Sequence, residues 1–316
     1  MFKRISDLFR VGLLILVAGI GQIVTAQAIT GLSDLVETGE PERIASGFDF
    51  TEGPVWHPDG YLLFTDIPAN KIYKWTPDGT VNMYRSPSGH ANGLTFDRHG
   101  RLIACEHSNR RVSRTEQDGT ITTLAAKYKG KSLNSPNDVV VKSDGSMYFT
   151  DPTFGLSEPF GIPAKQELAF KGVYRILADG KKLDLIVEDI SMPNGIAFSP
   201  DEKVLYVSDT FGSNIVAFDI LPDGRLVNRR VFTNVAGYPD GMKVDMKGNL
   251  YITTGSVAVR VYDKDGKQLG RIEIPEATTN CAFGGIDGKT LFVTTRTSLY
   301  RLKLKVQGVP VVRALK

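Results

Sequence analysis

The sequence of 316 residues is poor in cysteine and has no long amphipathic helical pattern after its N-terminal segment. Cys105 and Cys281 are the only cysteines, and both lie in apolar, strand-like segments of distant repeats. Apolar-flanked cysteines are usually buried thiols, so we expect two free thiols and no disulfide. The lack of helical periodicity is one reason to expect an all-β fold.

The sequence also lacks the signatures of several enzyme classes. No Gly-x-Ser-x-Gly motif is present, which argues against a serine hydrolase of the nucleophile-elbow type. No glycine-rich phosphate loop follows a strand and opens a helix. The four histidines have no zinc-site spacing with one another; they are His57, His90, His99 and His107.

The N-terminal segment differs from the rest of the chain. A basic stretch, "MFKRISDLFR", precedes the apolar run "VGLLILVAGIGQIV" and the small-residue pattern "AQA" at 26–28. These features predict a secretory signal peptide over residues 1–28, and an uncleaved anchor is the alternative. We therefore expect a periplasmic or secreted protein without stable membrane insertion after cleavage. Removing this segment, which carries three basic residues and one acidic residue, lowers the formal charge from +3 to +1 (3 − 2), and neither value indicates nucleic-acid binding.

What the sequence does contain is a repeat. Glycine is abundant, with 32 residues, and many Asp-Gly pairs separate short runs of β-branched and aromatic residues. Six copies of one pattern, a polar residue followed by two apolar runs around a turn, start at spacings of 40, 45, 57, 46 and 40 residues. Four-stranded propeller blades have this period. The sequence therefore predicts an all-β, six-bladed β-propeller that forms a single domain over residues 29–316.

Two segments outside the repeat have predicted roles. The segment "PERIASGF" at 41–48 precedes the first copy and would supply an outer strand to the last blade, which closes the ring. The longest spacing contains an insertion rich in Gly, Pro and Phe, "DPTFGLSEPFGIPAKQELAFKG". Long loops on propellers are often functional, so we expect this insertion to form a partial lid.

The residue that opens each repeat carries the functional argument. In a propeller the innermost strand of each blade lines the channel, so its opening residue lies at the channel mouth. These residues all carry side-chain oxygens: Glu52, Asn92, Asn137, Asn194, Asp240 and Asn280. Oxygen ligands converging on one axis suit a hard divalent cation. Asn and Asp also favour turns, but turn preference does not explain Glu52.

We expect a central metal site formed by Glu52, Asn137, Asn194 and Asp240. Because a cation does not need all six residues, we favour a structural role over a ligand role for Asn92 and Asn280. Fourteen or fifteen residues after the opening position, four copies carry a carboxylate: Asp66, Glu106, Asp151 and Asp209. Asp151 and Asp209 are predicted to orient the metal ligands, and hydrogen bonding to neighbouring backbone is the alternative.

Further residues are candidates for substrate contacts at the mouth. Asn137 and Asn92 open two of the repeats, and His90 lies two residues before Asn92. His107 is a similar candidate for substrate contact or proton transfer. Tyr238, with Phe154, is a candidate pocket wall.

The motifs "EGPVW", "NSPNDVV", "PNGIAFSPDEKVLYVSDT" and "YPDGM" resemble the senescence marker protein/gluconolactonase family, which includes regucalcin. The resemblance covers roughly residues 45–305, and "TDPTFGL" is similar to the bacterial gluconolactonase branch. It implies a six-bladed propeller with a divalent cation, usually Ca²⁺ and in some members Zn²⁺ or Mg²⁺. The matching positions are Glu52, Asn194 and Asp240, with Asn137 as a fourth ligand or a substrate contact. A substrate-binding arginine that animal members carry just before Asn137 has no counterpart here.

The expected activity is gluconolactonase-like: a metal-dependent hydrolase that opens the ring of a sugar lactone or a related small-molecule lactone to the hydroxy acid. Asp240 is the expected catalytic residue, as a general base for water or as the nucleophile itself. One alternative is a non-catalytic propeller, stabilised by calcium, that binds a partner or a sugar. Another is a phosphotriesterase, because the related diisopropyl fluorophosphatases and paraoxonases hydrolyse phosphotriesters and lactones.

Overall fold

The computed structural model describes residues 31–37 and 39–311. Within these residues, six four-stranded antiparallel sheets surround a central channel, and the predicted six-bladed propeller is confirmed. The predicted signal peptide, residues 1–28, and the domain boundary at residue 29 lie outside the described residues. In the described part, no helix has the length and apolar character needed to cross a membrane.

The first strand, β1 (Glu42–Ser46), precedes the first blade in the chain. Blade 1 consists of β2 (Thr51–His57), β3 (Tyr61–Asp66), β4 (Lys71–Trp75) and β5 (Val81–Arg85). Blade 2 consists of β6 (Ala91–Phe96), β7 (Leu102–Glu106), β8 (Arg111–Thr115) and β9 (Ile121–Ala125). A small hairpin follows, formed by β10 (Lys127–Tyr128) and β11 (Lys131–Ser132). Blade 3 consists of β12 (Val139–Val141), β13 (Met147–Asp151), β14 (Gly172–Ile176) and β15 (Leu183–Val187).

The second half of the ring repeats this arrangement. Blade 4 consists of β16 (Pro193–Phe198), β17 (Val204–Asp209), β18 (Asn214–Ile220) and β19 (Leu226–Asn234). Blade 5 consists of β20 (Met242–Val244), β21 (Leu250–Thr253), β22 (Ala258–Tyr262) and β23 (Gln268–Glu273). Blade 6 consists of β24 (Thr278–Gly284), β25 (Thr290–Thr295) and β26 (Ser298–Lys303), with β1 at its outer edge. Single 3₁₀ turns occupy Leu32–Asp34 and Phe154–Leu156.

The ring closes through the two ends of the described chain. Strand β1 pairs antiparallel with β26, and Glu42 lies opposite Arg301. The Arg301 Nε donates to Glu42 Oε2 at 2.7 Å, which adds a charge-assisted hydrogen bond to the backbone pairing. The predicted closure by residues 41–48 is therefore confirmed. It also covers the edge of β26, which would otherwise be an unpaired template for other chains.

Apart from Asp240–Gly241, which lies at the channel mouth, the Asp-Gly pairs form the tight turns that the sequence predicts. In the turn between β4 and β5, Asp78 Oδ1 accepts hydrogen bonds from Thr76 Oγ1 at 2.6 Å and from Thr80 N at 3.0 Å. The next residue, Gly79, has a φ of 88°, a left-handed conformation that favours glycine. A short polar side chain and a glycine thus reverse the chain in a few residues, as the hairpin pattern requires.

The core lies between neighbouring blades, around the inner strands. Leu63 of blade 1 packs with Leu94 and Leu102 of blade 2, and Trp56 stacks on Phe292 of blade 6 with ring centroids 5.4 Å apart. Cys105 and Cys281 are buried free thiols, as predicted. Because each blade buries its apolar faces against both neighbours, the ring holds the inner strands in fixed positions around the channel.

The two ends of the channel differ. At one end the last described residues cross the inner strands: Val309 donates its N–H to Val244 O at 2.9 Å, and Val311 packs beside Val55. The other end is the mouth, where the inner strands begin. The opening residue of every repeat lies there. The propeller fold therefore places the predicted site at the channel mouth.

Candidate active site

A pocket of ≈ 150 Å³ occupies the channel mouth. Five of the six opening residues line it: Glu52, Asn92, Asn137, Asn194 and Asp240. The sixth, Asn280, lies beside them and donates its Nδ2 to Glu52 Oε2 at 2.8 Å. The structure therefore brings the predicted ring of oxygen-bearing side chains together at one place.

Close packing between blades holds the opening residues. A Cβ atom added to Gly195 would lie 2.2 Å from Asp240 O on the next blade, and one added to Gly93 would lie 2.5 Å from Asn137 O. Gly195 is not in the left-handed region, so the glycine after Asn194 is required by this close approach. Turn chemistry therefore does not account for the Asn-Gly pair at 194–195.

Hydroxyl groups on the second strands form hydrogen bonds between neighbouring blades. Each of three hydroxyls donates to the backbone carbonyl of the opening residue on the following blade. Thr65 Oγ1 donates to Asn92 O at 3.1 Å, Thr150 Oγ1 to Asn194 O at 2.7 Å, and Ser208 Oγ to Asp240 O at 2.8 Å. The Thr or Ser that precedes the aspartate in "FTD" and "VSD" is the sequence signal for these bonds. These bonds were not predicted from the sequence.

Three of the four carboxylates that end the second strands bind loop backbone, whereas Glu106 accepts hydrogen bonds from side chains, including those of Arg111 and Ser113. Asp209 Oδ1 accepts from Met192 N at 2.9 Å, and Asp151 Oδ2 accepts from Asn134 N at 2.8 Å. Asp66 binds the backbone before Glu52 in the same way. These bonds correct the expectation that Asp151 and Asp209 orient the ligand side chains directly, because they fix the loops that lead into the inner strands.

The floor of the pocket concentrates negative charge. Burial raises the pKa of Glu52 to about 7, although hydrogen bonds from Gly53 and Asn280 oppose the shift. Burial, followed by the charge of Glu52, raises the pKa of Asp240 well above its usual range. Two buried carboxylates that repel each other need a compensating positive charge to remain ionised.

A third carboxylate, Asp138, was missed at the sequence level. It is buried next to Asn137; its Oδ1 accepts from Val139 N at 2.9 Å and its Oδ2 from Ile196 N at 3.3 Å. Its charge contributes to the raised pKa values of both Glu52 and Asp240. Asp138 is part of the "NSPND" motif, but the alignment of the repeats identified only Asn137 as the residue that opens the strand.

The donor set suits a hard divalent cation. In the described chain, no cluster of three or more His, Cys, Asp or Glu could hold a metal, so amide oxygens must complete any ligand set here. No hydrogen bond to the Asn137 side chain is found among the described residues, although that side chain lines the pocket. Two carboxylates and two amides without His or Cys favour Ca²⁺ over Zn²⁺.

The two candidate histidines differ in position. His107 is buried in the pocket wall, with Nδ1 2.9 Å from Phe160 O and Nε2 3.4 Å from Asn92 Nδ2. A carbonyl oxygen can only accept, so Nδ1 carries a proton. Because burial lowers the pKa of His107 to about 4, the ring is neutral near pH 7. His90 is not among the lining residues, and its Nδ1 lies 2.8 Å from Ser108 Oγ. The predicted substrate contact of His90 is therefore not supported by its position.

The pocket wall is aromatic. Tyr238 lies at the rim with 65% of its surface exposed, and Phe154 lines the pocket as expected. Phe50 and Phe160 also line it, and neither was identified from the sequence. Phe154 and Phe160 both come from the insertion between β13 and β14, so the predicted partial lid covers part of the mouth.

Comparison with known proteins gives consistent matches. The sequence model of the SMP-30/Gluconolactonase/LRE-like region matches residues 50–297. Over 306 residues the chain is 35% identical to gluconolactonase from Zymomonas mobilis, covering 88% of this chain and 85% of that protein. It is 28% identical over 256 residues to pentonolactonase XacC from Haloferax volcanii, covering 77% and 80%. The solved structure of a gluconolactonase from Xanthomonas campestris aligns at 39% identity with a TM-score of 0.83, covering 87% of this chain and 93% of that chain.

In metal-free protein, we expect Glu52→Gln to raise the free energy of unfolding at pH 8 by about 1–3 kcal/mol. The folded carboxyl has a pKa of about 7 against an ordinary 4.5, so it keeps its proton to higher pH than the unfolded one. The stability of the wild-type protein should therefore fall as the pH rises from about 4.5 to 7. Urea unfolding of chelator-treated protein at pH 4.5 and pH 8 measures the difference.

The matched control is Glu188→Gln, which changes an exposed carboxylate away from the pocket. It should leave the pH profile of stability unchanged. If the Glu52→Gln and wild-type proteins lost stability equally between the two pH values, the buried carboxylate would not be the cause.

Proposed function

Because the chain belongs to the SMP-30/gluconolactonase/LRE-like family, we propose that it is a metal-dependent lactone hydrolase. Its likeness to gluconolactonase and pentonolactonase makes it a carboxylic ester hydrolase of the lactonase class. The substrate would be a small lactone, and the product its hydroxy acid.

The observation that carries the metal dependence is the convergence at the channel mouth. Glu52, Asn137, Asn194 and Asp240 line one small pocket, and two of them are buried carboxylates with raised pKa values. These four residues would hold the cation, which we propose is Ca²⁺, with Mg²⁺ or Zn²⁺ as the alternatives. A bound divalent cation would polarise the lactone carbonyl and stabilise the oxyanion that develops on it.

The chain's own residues supply the rest of the chemistry. Asp240, on the pocket floor, is the general base: it takes a proton from the water that attacks the carbonyl and returns it to the ring oxygen as the ring C–O bond breaks. In the alternative, the Asp240 carboxylate attacks the carbonyl, the ring C–O bond breaks, and water then hydrolyses the acyl-enzyme to release the hydroxy acid. Asn137 and Asn92 lie where their amides can contact the ring substituents of a bound lactone. The aromatic wall excludes water from one side of the pocket, which strengthens the polar interactions on the floor.

Two other functions use the same features. A phosphotriesterase would also use a cation and a carboxylate, and a non-catalytic propeller would use the cation only to stabilise the fold. Neither accounts as well as a lactonase does for the likeness to two lactone hydrolases. A panel of one lactone set and one phosphotriester distinguishes all three.

We also propose that the protein is exported to the periplasm or secreted, with residues 1–28 removed as a signal peptide. The support is the sequence pattern alone. The mass of the native protein should place its N-terminus at Ile29, and an intact chain in the cytoplasm would contradict export.

We expect a chelator to abolish lactone hydrolysis and a divalent cation to restore it. The cation offsets the repulsion between Glu52 and Asp240 and activates the carbonyl, so both binding and chemistry depend on it. The measurement is hydrolysis of a lactone panel by protein whose metal content is known from elemental analysis. Full activity in metal-free protein would contradict the metal dependence, and turnover of only the phosphotriester would replace the lactonase assignment.

We expect Asp240→Asn to lower kcat by at least about a hundredfold at saturating metal, because general-base assistance is worth about 10²–10⁴ in rate. The amide retains a carbonyl oxygen for the cation but cannot accept the proton. The exposed Asp287→Asn on the opposite face is the matched control and should retain wild-type kcat. If metal-saturated Asp240→Asn protein remained within about threefold of wild type, Asp240 would be a ligand only.

A further inference from the structure

His107 joins the wall of the pocket to its floor. Its side chain is buried at the channel mouth, directly after Glu106, the last residue of β7. The insertion between β13 and β14 encloses the imidazole ring: a Cβ atom added to Gly155 would lie 2.3 Å from the ring Cγ. A Cβ atom added to Gly161 would lie 2.1 Å from Gly155 O, so both glycines allow the insertion to fold tightly over the ring. Close packing therefore fixes the position of the imidazole.

The insertion also sets the tautomer of His107. Nδ1 lies 2.9 Å from Phe160 O, and a carbonyl oxygen accepts hydrogen bonds but cannot donate them, so Nδ1 carries a proton. Burial lowers the pKa of His107 to about 4, so the ring is neutral near pH 7 and carries only this one proton. Nε2 consequently presents a lone pair, because the hydrogen bond at one ring nitrogen decides the state of the other.

The lone pair on Nε2 decides which end of the Asn92 amide faces the ring. Asn92 Nδ2 lies 3.4 Å from His107 Nε2, where an amide N–H can donate and an amide oxygen would be repelled. Asn92 Oδ1 therefore points away from His107. This oxygen has no hydrogen-bond partner in the part of the chain that the structure describes, and it is not sealed from solvent. Because Asn92 lines the pocket, it offers a ligand a free acceptor.

A second relay of the same kind orients Asn194. Thr210 Oγ1 donates to Pro239 O at 2.8 Å, so it accepts from Asn194 Nδ2 at 3.1 Å. In both relays a backbone carbonyl beside the pocket selects, through one side chain, the orientation of an amide on the floor. Asn280 differs, because both ends of its amide are bonded within the protein.

We propose that His107 is a positioning residue for substrate recognition: it transmits the hydrogen bond of the Phe160 carbonyl to Asn92, whose amide oxygen then accepts a hydrogen bond from a hydroxyl group of the lactone. This proposal rests on the proposed function, since it concerns recognition of the substrate at the same site. The contact of Asn92 with His107 holds its amide against the wall, where the ring substituents of a lactone would lie. The side chain of Asn137, in the same lining, offers a further polar contact. A site that bonds a substrate hydroxyl discriminates strongly against an analogue without it.

The tautomer can be tested without turnover. Nitrogen-15 NMR of histidine-labelled protein distinguishes a ring protonated at Nδ1 from one protonated at Nε2, and the spectrum of His107→Phe identifies the His107 signals by their loss. We expect a neutral ring protonated at Nδ1 near pH 7, in metal-free and in Ca²⁺-loaded protein. A ring protonated at Nε2, or a charged ring at this pH, would overturn the proposal whatever the activity.

Two lactones test the consequence for recognition. Glucono-δ-lactone and δ-valerolactone share a six-membered lactone ring, but only the first carries hydroxyl groups. His107→Phe keeps a buried ring and removes the acceptor for Asn92. We expect it to lower kcat/KM for glucono-δ-lactone by about tenfold, through a higher KM, and to leave that for δ-valerolactone within about threefold. Asn92→Ala should give the same pattern, and His99→Phe, at an exposed histidine in the turn between β6 and β7, is the matched control.

The double variant distinguishes positioning from a structural role. If His107 acts through Asn92, adding His107→Phe to Asn92→Ala should lower kcat/KM for glucono-δ-lactone by less than about twofold more, because the amide that it orients is gone. The Ca²⁺ affinity of His107→Phe, measured by calorimetry, should stay within about threefold of wild type. If His107→Phe does not fold, Asn92→Ala and the tautomer of the wild-type protein decide the question.

The outcomes separate the two proposals. Equal losses for both lactones in folded His107→Phe protein, or additive losses in the double variant, would assign His107 to the structure of the insertion and overturn its positioning role. A joint fall in Ca²⁺ affinity and in both activities would assign Asn92 to the cation and overturn it as well. Hydrolysis with a lactone preference that neither single variant changes would overturn the recognition role alone. No hydrolysis of either lactone by metal-loaded wild-type protein would overturn the lactonase assignment together with it.

Discussion

The repulsion between two buried carboxylates, Glu52 and Asp240, is the constraint on which the channel mouth depends. Burial raises the pKa of both groups, so each would keep its proton if nothing offset the negative charge. The inner strands nevertheless hold both side chains in one pocket at the channel mouth. A close glycine-to-carbonyl approach at Gly195 and a hydroxyl bond from Ser208 fix the backbone of Asp240. Such pre-organisation is useful if a cation occupies the centre, because the ligands need not reorganise when it binds.

Different parts of the propeller form the floor and the wall of the pocket. The inner strands supply the floor with its oxygen-bearing side chains, and they sit on rigid elements. The insertion from blade 3 supplies the wall through Phe154 and Phe160, and His107 connects wall to floor. The wall and the floor therefore come from different parts of the chain but are coupled through one buried side chain.

Repeat spacing was sufficient to predict the fold, because each blade is a local hairpin unit with its own turn residues. The position of Glu52, Asn137, Asn194 and Asp240 followed from the same register, since every inner strand begins at the mouth. Contacts between distant segments were not predictable in this way: the Phe50–Phe160 pair joins the first blade to a loop of the third. His90 shows that closeness in sequence does not fix a contact. It lies two residues before Asn92, but its Nδ1 is 2.8 Å from Ser108 Oγ and it is not among the residues that line the pocket.

The central claim is that the ring of oxygen-bearing side chains binds a divalent cation through its two carboxylates. Calorimetric titration of Ca²⁺ into metal-free protein tests this claim most directly. Removing a formal charge from the ligand set with Glu52→Gln should weaken Ca²⁺ binding by more than tenfold. Asn92→Ala, which shortens another side chain of the same ring, should weaken it by less than threefold. Equal affinities for the wild-type, Glu52→Gln and Asn92→Ala proteins, or no Ca²⁺ binding by the wild type, would contradict the account.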